Sequence, residues 1–209
     1  MGDYITVNEI SVGEYSEKHS RFIATLYPCK SDLEAMEILK EHKTRYFDAR
    51  HNVYAYILKD NTSRFSDDGE PHGTAAKPVL DVLSHSGITD ALLVVTRYFG
   101  GILLGTGGLV RAYSSASKEA VNNAVPVKMQ ECDAFLTVIP YSEQGKITNL
   151  IKEYEGIIEN TEFGENIKTE YCIPSYNTGK FTEKLCEISS SKIKADFISK
   201  KIMPIFAKK

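Results

Sequence analysis

Residues 92–113 read LLVVTRYFGGILLGTGGLVRAY, and the organisation of the chain follows from them. Leu92 to Val95 is an apolar strand that delivers Thr96, Arg97 and Tyr98 to a glycine-rich turn. Gly100, Gly101, Gly105, Gly107 and Gly108 fall within nine residues. The backbone there bends, takes positive φ, or is closely approached. A helix is expected from Leu109 to about Ala124, with Arg111 in or near its first turn and Pro126 ending it. The amino end of a helix carries unpaired N–H groups and the positive end of its dipole, which favour an anion. Arg97 before the turn and Arg111 after it add planar, bidentate donors. The stretch suits a phosphate-like or acidic partner, or very tight packing.

Two nucleotide patterns fail on it. Gly100 and Gly105 have the separation of a Walker loop, but Thr106 and Gly107 stand where Lys and Ser/Thr belong. Gly105-Thr106-Gly107-Gly108-Leu109-Val110 begins like a dinucleotide fingerprint and lacks the third glycine.

Just upstream, the polar loop from Asn61 to Pro78 holds SDDGEPHGTA, residues 66–75. Asp67, Asp68, Glu70 and His72 crowd four titratable groups into six residues. The cluster admits three readings: a structural turn with Asp67 or Asp68 capping backbone N–H groups and Gly69 at positive φ, an acidic binding surface, or acid–base and metal chemistry. Its spacing matches neither the calcium loop nor the paired-histidine zinc helix. A buried arginine needs a partner, and Asp67, Asp68 or Glu70 would supply one to Arg97, joining the two motifs in one surface.

Working outward, Ile5, Val7, Ile10 and Val12 form an opening strand. Residues 13–20 (GEYSEKHS) read as a turn, and Arg21 to Tyr27 as the antiparallel partner. Ser31 with Glu34 fits a capping box opening a helix that reaches Tyr46, with Leu33, Met36, Ile38 and Leu39 as its apolar face. Val53 to Leu58 is a strand. Regular structure is not expected in the first half of the polar loop, and a helix starting at Gly73 or Thr74 ends near Gly87. After Pro126 the rhythm changes. Strand 132–139, helix 142–154 capped by Ser142, strands 156–163 and 167–173, helix 177–188 and strand 195–205 make a ferredoxin-like βαββαβ unit. The chain thus reads as α+β in two domains, residues 1–128 and 129–209.

With 209 residues, 42% hydrophobic and 25% charged, the composition is that of a globular chain with a substantial core. No apolar run approaches the ~20 residues needed to span a bilayer, and the start lacks the pattern of a signal peptide. The expected compartment is the cytoplasm, with no membrane partner. A net charge of −3 excludes a globally basic nucleic-acid binder but not a local basic face. The tail lysines Lys192, Lys194, Lys200, Lys201, Lys208 and Lys209 read as a solvated face. Cys29, Cys132, Cys172 and Cys186 contain no C-x-x-C pair, which argues against a zinc knuckle. Three of them read as reduced and buried. Cys29, near Lys30 and a helix start, is the one whose thiol the local charge would acidify. His19, His42 and His85 read as surface residues. Tyr54, Tyr98, Phe99 and Tyr113 offer either stacking faces for RNA or core.

Asp67-Asp68-Gly69-Glu70-Pro71 followed by Gly73-Thr74-Ala75, then Thr96 to Gly101, Leu104-Gly105 and Gly107-Gly108-Leu109 with Arg111-Ala112-Tyr113, resembles the YigZ/IMPACT family. The likeness covers roughly residues 15–125, departs from the pattern at Ala76, and continues into the ferredoxin-like half. It implies an N-terminal domain like a small-subunit ribosomal protein domain and elongation factor G domain IV, and a C-terminal domain like that factor's domain V. It also implies a link to translation, since eukaryotic members act in translational control. Some relatives carry a proline dipeptidase label, for which this sequence offers no metal-ligand set.

The leading expectation is a non-enzymatic binding module engaging RNA, the ribosome or a translation-associated protein. Its contact residues would be Arg97, Tyr98, Gly100, Gly101, Gly105, Gly107, Gly108, Arg111, Asp67, Asp68, Glu70 and Lys77. No catalytic residue, metal or cofactor is assigned. The alternatives are an enzyme that uses Asp67, Asp68, Glu70 and His72 on a phosphorylated small molecule, and a protein–protein regulator whose acidic loop binds a basic partner.

Overall fold

The computed structural model describes residues 3–205. Lys208 and Lys209 of the tail lysine run lie outside them. The chain divides into two compact units, one spanning Tyr4–Val127 and the other containing Asp3 and residues 128–205.

The first unit runs β1 (Tyr4–Val7), β2 (Ser11–Glu17), β3 (Ser20–Pro28), α1 (Asp32–Arg45), β4 (His51–Ile57), β5 (Ser63–Ser66), α2 (Ala76–Ser86), β6 (Ala91–Tyr98) and α3 (Gly105–Asn122). Its main sheet has the order β2-β3-β6-β4-β5 with antiparallel neighbours. The central strand β6 is covered on both faces, which is why its sequence is continuously apolar rather than alternating. On one face Leu93 and Val95 join Val79 and Leu83 of α2 and Leu109, Ala112 and Tyr113 of α3 in the main core. On the other, Leu92 and Val94 pack with Ala35 and Leu39 of α1.

Strand β7 (Pro126–Ile139) leads from the first unit into the second, which continues with α4 (Gln144–Glu153), β8 (Ile157–Phe163), β9 (Ile167–Pro174), α5 (Thr178–Ile188) and β10 (Asp196–Ile205). The antiparallel order β10-β7-β9-β8 is the ferredoxin-like arrangement. Phe135, Ile147, Ile151, Tyr171 and Phe181 fill its core.

The α+β class and the two-domain reading hold, while several local boundaries move. Residues expected to form a turn after Val12 continue as β2, and the reversal falls at Lys18 and His19, both at positive φ. The inward positions of β2 are Ser11, Gly13 and Tyr15, so its alternation carries little apolar signal. The hydrophilic edge strand β5 forms where no regular structure was expected, paired to β4. Helix α1 starts as expected, with the Glu34 N–H donating to Ser31 Oγ. Its buried face is Ala35, Leu39 and His42 rather than one including Leu33, which is exposed. Ser142 does not cap α4 and lies in a 3-10 turn that precedes it.

The largest shift is in α3. It begins at Gly105, not Leu109, so Gly105, Gly107 and Gly108 belong to its first turn and Arg111 lies beyond that turn. Glycines are poor helix formers. Here the packing of Leu104 and Leu109 into the core outweighs that preference.

Candidate functional site

The two-residue period of β6 decides where Arg97 goes. It follows Leu93 and Val95 on the face beneath α2 and α3, while Thr96 follows Leu92 and Val94 toward α1. Arg97 is thereby carried into the interior, with 7% of its side chain exposed. Its counter-ion is Glu70, with Nη1 2.5 Å from Oε1 and 3% of the Glu70 side chain exposed. Tyr113 of α3 donates its O–H to the same Oε1 at 2.8 Å. Burial, with Glu70 beside it, drives the Tyr113 phenol far above its ordinary pKa, so it stays a donor. The Phe22 and Phe99 rings lie 5.4 and 5.5 Å from the guanidinium carbon, and Arg97 Nε is buried with no hydrogen-bond partner. The two sequence motifs therefore do meet, through Glu70.

The other acidic-loop residues turn elsewhere. Asp67 accepts from the Gly73, Ala75 and Ala76 N–H groups at 3.0, 3.3 and 2.8 Å, capping α2 from outside the helix. Asp68, at positive φ like Gly69, accepts from the Asn52 N–H and from Lys43 Nζ, both at 2.7 Å. His72 is fully exposed, 3.7 Å from Asp67. Asp67, Asp68, Glu70 and His72 thus do not converge on one point, and among the described residues no three His, Cys, Asp or Glu side chains are placed to hold a metal ion.

His51 takes the place beside Glu70 that sequence reasoning left empty. Its Nδ1 lies 2.8 Å from the Asp68 carbonyl, which only accepts, so Nδ1 carries a proton. Nε2 lies 3.8 Å from Glu70 Oε1.

Above this cluster the amino end of α3 is open. No side chain caps it and no acid lies in its first turn, in contrast to Ser31 on α1 and Asp67 on α2. It faces a cleft of about 360 Å³ lined by Arg50, His51, Glu70, Arg97, Phe99 and Thr106, among others. The loop before it shows Ile102 and Leu103 to solvent, Leu103 being 83% exposed. Gly100 packs tightly, since a Cβ there would meet the His19 carbonyl carbon at 2.0 Å. Gly101 and Gly105 take positive φ of 83° and 72°, and Gly107 borders open space apart from Arg111. The Arg111 side chain is 70% exposed, with Glu17 at 3.8 Å. Tyr98 donates to Asp48 at 2.9 Å, and Lys77 pairs with Asp81 at 2.8 Å and does not line the cleft.

Arg50 and His51 are thus cleft residues that sequence reasoning did not assign. Their signal was positional: β4 pairs with β6 so that His51 stands opposite Arg97. Of the aromatic residues considered for stacking, Tyr113 is core and Phe99 is partly exposed at the cleft. His42 proves buried rather than superficial, with Tyr27 Oη 2.7 Å from Nδ1 and Thr96 Oγ1 2.7 Å from Nε2. The Cys29 thiol is not acidified, because burial pushes its pKa up to about 11.

Residues 18–121 match the model of the Impact N-terminal domain, and residues 137–192 match DUF1949, a domain of unknown function. The IMPACT family member YvyE of Bacillus subtilis is 36% identical over 194 residues, covering 92% of this chain and 89% of that protein. YigZ of Escherichia coli, also an IMPACT family member, is 33% identical over 176 residues, covering 82% and 86%. A crystal structure of a hypothetical protein superposes with a TM-score of 0.62 at 29% identity, covering 95% of this chain and 98% of that one. The Arg97–Glu70 pair and the open end of α3 both fall within the first matched segment. With both halves matched and bacterial relatives aligned over most of its length, the chain belongs to the IMPACT family.

Proposed function

We propose that this chain is a cytoplasmic, non-enzymatic, translation-linked binding module that engages RNA, free or within the ribosome, around the amino end of α3. The observation that carries the reading is a helix terminus with neither a side-chain cap nor a first-turn acid. Arg50 in the cleft wall and exposed Arg111 one turn further along α3 accompany it. Unpaired backbone N–H groups and exposed guanidinium groups are the donors that phosphate backbones use. Exposed Phe99, Ile102 and Leu103 beside them add apolar surface for unstacked bases. The enzyme alternative has less support, because its four candidate side chains point to separate tasks: a cap, a lysine pair, a buried ion pair and solvent.

The test is binding of the full chain to ribosomes and to structured RNA across about 50 to 200 mM salt. The Arg50→Ala/Arg111→Ala double variant serves as comparison, since both residues are exposed and their loss spares the core. Salt-sensitive binding that the double variant loses is the expected result. Absence of binding at any salt, or binding that the double variant retains in full, overturns the reading.

A further inference from the structure

The two-residue period of β7 and β9 turns Phe135, Tyr171 and Ile173 toward α4 and α5. Cys132, Ala134 and Cys172 fall on the opposite face, in a separate cluster against which Met203 of β10 packs. Ala134 stands opposite Cys172 and Cys132 opposite Pro174, so the two cysteines are diagonal neighbours across the strand pair. On the other side of β7, Met203 stands opposite Gln130 and is diagonal to Cys132. Three sulfur side chains thus run across three adjacent strands. Diagonal residues of an antiparallel pair stand about 7–8 Å apart, with their Cβ atoms somewhat closer. A disulfide needs Cβ atoms about 3.5–4.5 Å apart, so this register sets the thiols too far apart to join each other. Two metal–sulfur bonds of about 2.3 Å, with a Cβ–S bond at either end, close the same gap. We infer that Cys132, Cys172 and Met203 form a site for a soft monovalent metal ion, Cu(I) in chemical type, held by two thiolates and one thioether. The site belongs to the second unit and is independent of the RNA reading.

Donor chemistry selects the ion. Thiolate and thioether sulfur prefer Cu(I) to the hard divalent cations. Zn²⁺ in a structural site takes about four ligands, and among the described residues no third His, Cys, Asp or Glu completes the cysteine pair. Binding releases both thiol protons to solvent and leaves a net negative charge on the two thiolates and their ion. The Cys172 thiol donates to Glu159 Oε2 at 3.3 Å, and Lys201 Nζ lies 2.8 Å from the same oxygen, so an ammonium stands beside the new charge. Both cysteines are 1% exposed, whereas Met203 is only partly buried. Its flexible, unbranched chain swings aside to admit the ion and closes on it as the third ligand.

The experiment adds Cu(I) without oxygen to the reduced full chain, in competition with a chromogenic Cu(I) chelator, and follows thiolate-to-copper absorption in the near ultraviolet. The comparisons are Cys172→Ala, Met203→Leu and Cys186→Ser. Met203→Leu conserves volume, and Cys186 is the exposed thiol outside the cluster. The expected result is a single ion per chain and a melting temperature that rises on loading. Affinity should fall at least about a hundredfold in Cys172→Ala and about tenfold in Met203→Leu, and stay at the wild-type value in Cys186→Ser. Should Cys172→Ala fail to fold, Met203→Leu carries the test. Zn²⁺ as the probe should leave the melting temperature unchanged. Failure to hold Cu(I) against the chelator overturns the inference, as does equal affinity in wild type and either cluster variant. Loss of binding in Cys186→Ser, or a melting temperature raised by Zn²⁺, overturns it too.

Discussion

Arg97 and Glu70 meet at 2.5 Å, from a central strand and from a loop, with both side chains almost closed off from solvent. A buried pair of this kind is weak evidence of net stabilisation, because desolvation opposes the attraction, but breaking it strands a charge. Glu70→Gln and Arg97→Met should each cost about 3–5 kcal/mol in urea unfolding. The Glu70→Leu/Arg97→Met double variant should recover most of that loss. Additive losses in the double variant would show that the two residues act independently.

His42 makes stability depend on pH. Thr96 Oγ1 donates to Asn52 Oδ1 at 2.8 Å, so it accepts from His42, and the neutral ring carries its proton on Nε2 while Nδ1 accepts from Tyr27. Burial, then the Arg45 charge, pushes its pKa down from 6.5 to about 4. The unfolded chain therefore binds the extra proton between these values. This contribution is complete above the unfolded pKa and is lost as pH falls toward 4, to about 3 kcal/mol in all. Wild type minus His42→Gln, followed by urea midpoints from pH 7 to about pH 4, should show that loss. A flat difference would contradict the neutral buried ring.

Two glycines of the loop should behave oppositely. A Cβ on Gly100 meets backbone atoms of His19 and Ser20 at 2.0 to 2.4 Å, which no rotamer change relieves. Gly100→Ala should cost about 2 kcal/mol or more. On Gly107 a Cβ meets only Arg111 Nη1 at 3.8 Å within a helix, so Gly107→Ala should gain up to about 1 kcal/mol. Melting temperatures of the two variants check the contrast, and a destabilised Gly107→Ala would mean that α3 starts later.

Of the four cysteines, Cys186 is exposed and the others are buried. Burial also raises the Cys29 and Cys132 thiols to about 11 and the Cys172 thiol to about 12. A disulfide reagent at neutral pH should label one thiol quickly and the rest only on unfolding. Fast labelling of a second thiol in native protein would place one of the buried three at the surface.

The sequence carried the architecture well where periodicity was strong. The apolar run into Arg97 and the βαββαβ rhythm after Pro126 both read directly into strands and their order. It carried the site less well. Asp67, Asp68 and Glu70 are chemically alike, and only the path of the loop decides which one caps α2, which binds Lys43 and which enters the core. The start of α3 was hidden because glycines signal a break, whereas Leu104 and Leu109 anchor the turn by packing. Arg50 and His51 carried no motif at all and become cleft residues through the register of β4 on β6.

The cleft has one wall on β6, hydrogen-bonded on both edges by β3 and β4, and another on the exposed loop before α3, where Ile102 and Leu103 face solvent. Exchanges at residues 102 and 103 cost the core nothing, while exchanges at Arg97 disrupt it. Tolerance of substitution is therefore split across the cleft: residues 102 and 103 are free to change, and the Arg97 guanidinium is held by the fold that buries it.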